Sequence, residues 1–271
     1  MNSAEKALQA KNREREARLE ETFKQAEENL ALYDGFDGWY MGETLSDRIK
    51  FNKNKKAAQA GLKNAIKLYE KCAKEGHIES MERLAYIYSE QTYDQKKSSY
   101  WHQQAAEHGS IESMEYLADC YENGYFGFVQ SETTAQKWKE RIQKRLEEAY
   151  EEAVDKYEEC KKNFELYGEG ELDAEKLKSD DRLLVDGAIK LLTMCAKYEH
   201  VKSMEMLGRI YKECMHDKKE TFHWYGEGAK HGSTLCMHTL GVFYRDGIGT
   251  DKDSYMAKQY FDMEKRANNK I

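Results

Sequence analysis

The feature that most constrains this chain is a phrase it states twice. Gly76-His77-Ile78-Glu79-Ser80-Met81-Glu82-Arg83-Leu84 returns as Gly109-Ser110-Ile111-Glu112-Ser113-Met114-Glu115-Tyr116-Leu117, 109 − 76 = 33 residues later. A looser pair, Val201-Lys202-Ser203-Met204-Glu205-Met206-Leu207 and Thr234-Leu235-Cys236-Met237-His238-Thr239-Leu240, keeps the same spacing, 237 − 204 = 33. Repetition at this period marks a solenoid, in which one helical pair cannot bury its apolar face alone and stacks on the next. Each copy carries one helical stripe at i, i+3, i+4 and i+7. The stripes are Met81, Leu84, Ala85 and Tyr88; Met114, Leu117, Ala118 and Tyr121; Met204, Leu207, Gly208 and Tyr211; Met237, Leu240, Gly241 and Tyr244. The small residue in each stripe, alanine or glycine, lets a paired helix approach closely. Second helices are marked by Trp101 with Ala105 and Ala106, and by Trp224 with Gly228 and Ala229, each running into His-Gly at His108-Gly109 and His231-Gly232.

Composition agrees with a thin stack. Of 271 residues, 40% are hydrophobic and 34% charged, with a mean hydropathy of -0.94, which is too polar for one compact core of this length. Proline is absent, so nothing obstructs helix interiors. A net charge of -7 and a pI near 5.7 argue against direct nucleic-acid binding. No apolar run reaches the ~18 to 20 residues that span a bilayer, and Met1 to Glu21 is charged throughout. The expectation is a cytoplasmic protein without membrane contact, with export by a specialised secretion system left open. The cysteines at 72, 120, 160, 195, 214 and 236 could suggest disulfides, but Cys72 and Cys195 occupy equivalent places just before an alanine, so they read as small core residues. No CxxC pair offers a metal knuckle.

A second layer of repetition lies above the first. Met81 to Met204 and Met114 to Met237 both differ by 123, and Asn29-Leu30-Ala31-Leu32-Tyr33 echoes Asn163-Phe164-Glu165-Leu166-Tyr167 at an offset of 134. The chain therefore reads as two homologous halves, each a long helix, a loop and two repeats. The first long helix is expected over residues 3 to 33, its charged first half extending into solvent. Three glycines among aromatic residues then break the chain at 34–42, either as an anchor folded back on the first helices, which is the favoured reading, or as a partner contact. Helix resumes until Lys74. The apolar steps across 133–167 suit one helix or two broken near Arg145, and 168–181 reads as a charged loop.

The last unit is the most specific. Leu240-Gly241, Tyr244, Gly247, Gly249, Asp253, Ala257 and Tyr260-Phe261 stand where the Sel-1-like repeat family, relatives of the tetratricopeptide repeats, has its leucine-glycine, tyrosine, two loop glycines, aspartate, alanine and aromatic pair. The pattern resembles that family over about 62 to 139 and 184 to 266. Units one and three depart from it: Tyr88 to Trp101 and Tyr211 to Trp224 span 13 steps against 16 from Tyr244 to Tyr260, so the glycine loop is shorter by about a turn. The resemblance implies an all-α, right-handed α-α superhelix of four repeats in two pairs with long flanking helices. The divisions are 1–61 (lead-in helices and loop), 62–139 (repeats one and two), 140–183 (linking helix and loop) and 184–271 (repeats three and four).

No HExxH, phosphate-cradling glycine loop or Ser-His-Asp order is present, so no catalytic residue, metal site or cofactor is expected. His77 and His200 are equivalent, as are His108 and His231, and all read as polar residues satisfying carbonyls at helix-ending turns. The resemblance implies a protein-interaction scaffold or adaptor whose first helices line a concave groove. In the first pair the groove positions are Glu79, Glu82, Tyr86 and Glu90, then Glu112, Glu115, Asp119 and Glu122, an acidic face suited to a basic peptide or protein. In the second pair they are Lys202, Glu205, Arg209 and Lys212, then Leu235, His238, Val242 and Arg245, a mixed to basic face. Tyr125-Phe126-Gly127-Phe128-Val129 interrupts the second repeat's loop. Tyr125, Phe126 and Phe128 are expected beneath the following helix; the other reading makes them an exposed aromatic anchor. The alternative function is an effector or inhibitor that blocks a nucleic-acid-handling or other enzyme through its acidic surface. The long helices leave a homodimer open.

Overall fold

A computed structural model describes residues 3–36, 44–167 and 172–269, and among these all regular structure is helical. The chain is all-α, of the right-handed α-α solenoid class, and divides into two compact units, residues 1–142 and 143–271. The first holds α1 (Ser3–Asp34), α2 (Leu45–Lys74), α3 (Ile78–Tyr86), α4 (Gln95–Glu107), α5 (Ile111–Asn123) and the start of α6 (Glu132–Tyr167). The second holds the rest of α6, α7 (Ser179–Lys197), α8 (Val201–Glu213), α9 (Lys218–Lys230), α10 (Thr234–Asp246) and α11 (Ser254–Asn268). Helix α6 is continuous through Arg145. It contains no glycine or proline, and its stripe of Ala135, Ile142, Leu146, Ala149, Ala153, Tyr157, Cys160 and Phe164 is buried throughout. The loop expected at 34–42 lies outside the described residues from residue 37 on, although Phe36 places its ring 5.2 Å from Phe51 of α2. Of the loop expected at 168–181, residues 168–171 lie outside them, and helix already begins at Ser179.

The repeated words do the packing they promise. Met81, Leu84, Ala85 and Tyr88 are all buried, as are Met204, Leu207 and Gly208. The first unit's core gathers Ala26, Leu30, Tyr69, Met81, Leu84 and Ile87; the second unit's gathers Tyr157, Val185, Leu192, Met204, Leu207 and Ile210. A Cβ on Gly208 would stand 2.9 Å from the Tyr225 ring of α9, so the glycine there admits the neighbouring helix as expected. Leu8, by contrast, is exposed on the charged first half of α1. All six cysteines are buried and free.

Two of these thiols set the true register of the duplication. Cys72 of α2 donates to the Leu19 carbonyl at 3.8 Å, and its counterpart Cys195 of α7 donates to the Leu146 carbonyl at 3.6 Å. Phe23 packs its ring 5.1 Å from His77, and Tyr150 packs 5.4 Å from His200. Both pairs relate α1 to α6 by 127 residues, 146 − 19 and 150 − 23. The offset of 134 expected from the Asn-Leu-Tyr echo is therefore seven residues too long. Seven residues are two helical turns, which return almost to the same face, so the apolar pattern alone cannot distinguish the two registers.

The turns also repeat. Between the helices of each repeat, the residue that opens the second helix donates its N–H to the stripe tyrosine's carbonyl: Asp94 to Tyr88 at 2.7 Å, Ser131 to Tyr121 at 2.8 Å, Asp217 to Tyr211 at 3.0 Å and Asp253 to Tyr244 at 2.8 Å. Five residues after each tyrosine the backbone turns left-handed, at Tyr93 (φ 55), Phe126 (φ 53), His216 (φ 50) and Gly249 (φ 74). Only the last repeat places glycine there, the residue for which this conformation carries no steric penalty.

The histidines divide into two roles. His108 Nδ1 lies 2.9 Å from the Gln104 carbonyl, which is the helix-ending role expected of it. His77 instead opens a helix: its ring accepts from the Ser80 N–H at 3.3 Å as the N-cap of α3, because the chain turns at Gly76 one residue earlier. His200 holds the same N-cap position on α8, with Nδ1 2.7 Å from Ser203 Oγ.

Candidate interaction groove

In the first repeat pair, α3 and α5 present the same face one repeat apart, because both begin with the Ile-Glu-Ser-Met-Glu word and each is capped two residues before its first glutamate. Glu79, Glu82 and Tyr86 of α3 and Glu112 of α5 line one open cleft of about 430 Å³, together with Arg83 and Phe23. Tyr86 is 52% exposed, a large ring left at the rim. Arg83, the cation in that lining, is held at 2.9 Å by Glu27 of α1. Glu82 is half-buried and accepts a hydrogen bond from Ser110 Oγ at 2.5 Å, the same hydroxyl that caps α5 by accepting from the Ser113 N–H. Burial raises the Glu82 carboxyl; the Ser110 bond opposes this, and the like charges of Glu112 and Glu79 add to it. Glu115 is raised by burial and then by Glu112. Asp119, one turn further along α5, is exposed and takes a hydrogen bond from the Asn123 amide at 2.7 Å. Four of the eight expected first-pair residues thus line one cleft, and Glu115 and Asp119 continue the stripe beyond it.

The second pair differs from its sequence reading in one respect: most of its basic groove side chains already have partners. Lys202 meets Glu147 at 2.7 Å, Arg209 meets Glu213 at 3.1 Å, Arg245 meets Asp246 at 2.7 Å, and His238 Nδ1 lies 3.0 Å from Glu264. Glu205, the counterpart of Glu82, receives the Ser233 hydroxyl. Glu147 and Glu264 come from α6 and α11, outside the groove-forming helices, so a reading confined to α8 and α10 counts Lys202 and His238 but misses their partners, whereas Arg209 and Arg245 are paired on their own helices. Lys212 is set apart, lining a small cavity of about 160 Å³ with His216, Lys218, Thr221, Phe243 and Ile248.

The aromatic loop is not buried as expected. Tyr125 is 50%, Phe126 57% and Val129 82% exposed, and Phe128 alone is half-buried, with its ring 5.0 Å from Tyr121. The reason is backbone geometry. Gly124 ends α5 in the left-handed conformation and Phe126 repeats it two residues later, and the Phe126 ring lies on Tyr116 of α5. The rings of Phe126 and Tyr116 stack at 5.9 Å and 13°, and Tyr116 in turn stacks on His102 of α4 at 3.8 Å and 19°. Burial pushes His102 down to about 4, so that ring is neutral near pH 7.

A family model for the Sel1 repeat matches residues 59–77, 78–110, 111–140, 202–233 and 234–263. The chain belongs to the Sel1 repeat family. The match at 59–77 covers the second half of α2 and the turn after it, almost wholly within the 62–139 read as two repeats, so that span holds three matched segments. Sel1 repeat proteins generally serve as protein-protein interaction scaffolds. Among solved structures, a Sel1 repeat protein from Oxalobacter formigenes is similar at 21% identity over 89% of this chain and 99% of its own, with a TM-score of 0.33. A protective antigen with an SLR fold, present in uropathogenic Escherichia coli strains, is similar at 19% identity over 78% of this chain and 45% of its own, with a TM-score of 0.30. No curated protein matches the chain. Among the described residues, no group of three or more His, Cys, Asp or Glu is placed to hold a metal ion, and no helix is long and apolar enough to cross a membrane.

Proposed function

We propose that this Sel1 repeat protein is a non-enzymatic adaptor, and that the α3–α5 face of its first repeat pair takes a basic peptide or protein surface. One observation carries the reading. Glu79, Glu82 and Glu112 converge on a single cleft whose cation is bound elsewhere, and Glu82 and Glu115 sit partly desolvated beside like charges. A lysine or arginine from a partner would relieve the repulsion and offset the cost of keeping these carboxylates away from water, and such complementarity sets partner choice and association rate. At the groove positions of the second pair, Lys202, Arg209 and Arg245 are matched within the fold, which favours a contact directed by shape more than by charge. Six free thiols are compatible with the reducing cytoplasm.

Quantitative affinity capture tests this with two baits, the natural chain and a Glu79→Lys/Glu112→Lys/Glu115→Lys variant. Glu82 is left intact because its carboxylate holds the Ser110 cap. A small stoichiometric set of proteins, bound through basic segments and lost from the variant, is the expected result. Equal recovery on both baits contradicts the groove assignment, and recovery of a single nuclease or polymerase supports an inhibitor instead.

A further inference from the structure

We propose that Phe126, at the outer end of the His102–Tyr116–Phe126 stack, makes the first groove selective for arginine: a partner guanidinium lies on the exposed Phe126 ring while carboxylates of the adjoining α5 stripe meet its charge. This rests on the basic-partner reading of the α3–α5 face and specifies which cation it prefers.

Helical periodicity brings the parts together. Glu112, Tyr116 and Asp119 stand at i, i+4 and i+7 on α5, one stripe that continues the acidic cleft toward the turn. Phe126 stacks on the Tyr116 of that stripe and leaves 57% of its surface open. The Gln95 side-chain amide donates to Tyr116 Oη at 2.9 Å, and His102 lies against its other face, so the platform under Phe126 is fixed. His102 carries no charge near pH 7 and does not repel a cation. Glu122 is engaged by Lys139 at 2.8 Å, which leaves Glu112, Glu115 and Asp119 as the carboxylates of this stripe.

Backbone geometry supports display over packing. The position holding Phe126 is filled by glycine in the last repeat, where the same left-handed turn is made without strain. A bulky residue there costs roughly 1–2 kcal/mol in backbone strain, yet most of the ring remains in solvent, so burial does not offset that cost. An aromatic face next to carboxylates suits arginine better than lysine, since the planar, weakly hydrated guanidinium stacks while still donating to oxygen.

Fluorescence anisotropy with two labelled peptides provides the test, one alternating arginine with serine and the other alternating lysine with serine. The natural chain is expected to bind the arginine peptide about three- to fivefold more tightly. Phe126→Gly keeps the left-handed turn and should bring that ratio to about one, while lysine-peptide affinity holds; Phe126→Leu, which keeps apolar bulk without a π face, should do the same. If the natural chain shows no preference, or either variant retains it, the Phe126 assignment is overturned while the groove stands. If neither peptide binds the natural chain, the basic-partner reading fails and this inference falls with it.

Discussion

At the scale of single residues, the chain departs from its own repeat where it places side chains in a glycine conformation. Tyr93 holds φ 55 and is 82% exposed, so it bears backbone strain with little packing in return. Relief of about 1–2 kcal/mol of strain, less roughly 0.5–1 kcal/mol of added chain entropy, predicts that Tyr93→Gly raises stability by about 0.5–1 kcal/mol in urea denaturation. A loss of stability would show that Tyr93 packs more than its exposure indicates. The glycine column was visible in the sequence as Gly247 and Gly249. That bulky residues occupy the left-handed site elsewhere was not visible, because shortened loops hide the alignment in repeats one and three and side-chain size argues against that conformation in all three. The same strain explains why Phe126 stands out where burial was expected. The core stripes, by contrast, were read residue by residue, since helical spacing alone decides which side chains face inward.

At the scale of elements, the two halves solve one packing problem with different volumes. Ala85 of α3 corresponds to Gly208 of α8, and His102 of α4 to Tyr225 of α9, each pair 123 residues apart. The larger ring of Tyr225 is matched by the missing Cβ of Gly208. Gly208→Ala should therefore cost about 1–3 kcal/mol through overpacking, and adding Tyr225→His, the first half's combination, should recover part of the loss. Strict additivity in that double-mutant cycle would contradict the contact. His102 has an energetic signature as well. Its folded-state pKa of about 4 lies below the ordinary 6.5, so as pH falls from 6.5 toward 4 the unfolded chain gains a proton that the folded chain refuses. Stability contributed by the neutral ring is present above pH 6.5 and lost on that descent, by an amount on the order of 3 kcal/mol. His102→Gln should flatten this part of a pH-stability curve measured by denaturation. The partnership of α1 with α2 and of α6 with α7 was legible as two long helices before two repeats, but their register was not. A heptad shift preserves the apolar face, and hydrogen bonds such as Cys72 to Leu19 were needed to fix it.

At the scale of the whole molecule, a net charge of -7 says little about where a partner binds; what matters is where the fold gathers like charges on one face. The acidic half of the site was legible because its glutamates lie within the repeated word itself. The pairing of Lys202 and His238 in the second pair is not legible, because Glu147 and Glu264, which meet them, sit on helices that the repeat pattern does not join to the groove. Binding to the first pair should weaken with salt, since its carboxylates are only partly buried and are screened over about 8 Å at physiological ionic strength. The central claim, that partner choice lies in the α3–α5 carboxylates, is tested most directly by an anisotropy titration of the natural chain and the Glu79→Lys/Glu112→Lys/Glu115→Lys variant against a labelled lysine-serine peptide and its glutamate-serine counterpart. The account predicts that the natural chain binds the basic peptide alone and that the variant, with its circular dichroism unchanged, reverses that preference; equal affinities for the basic peptide in the two proteins would contradict it.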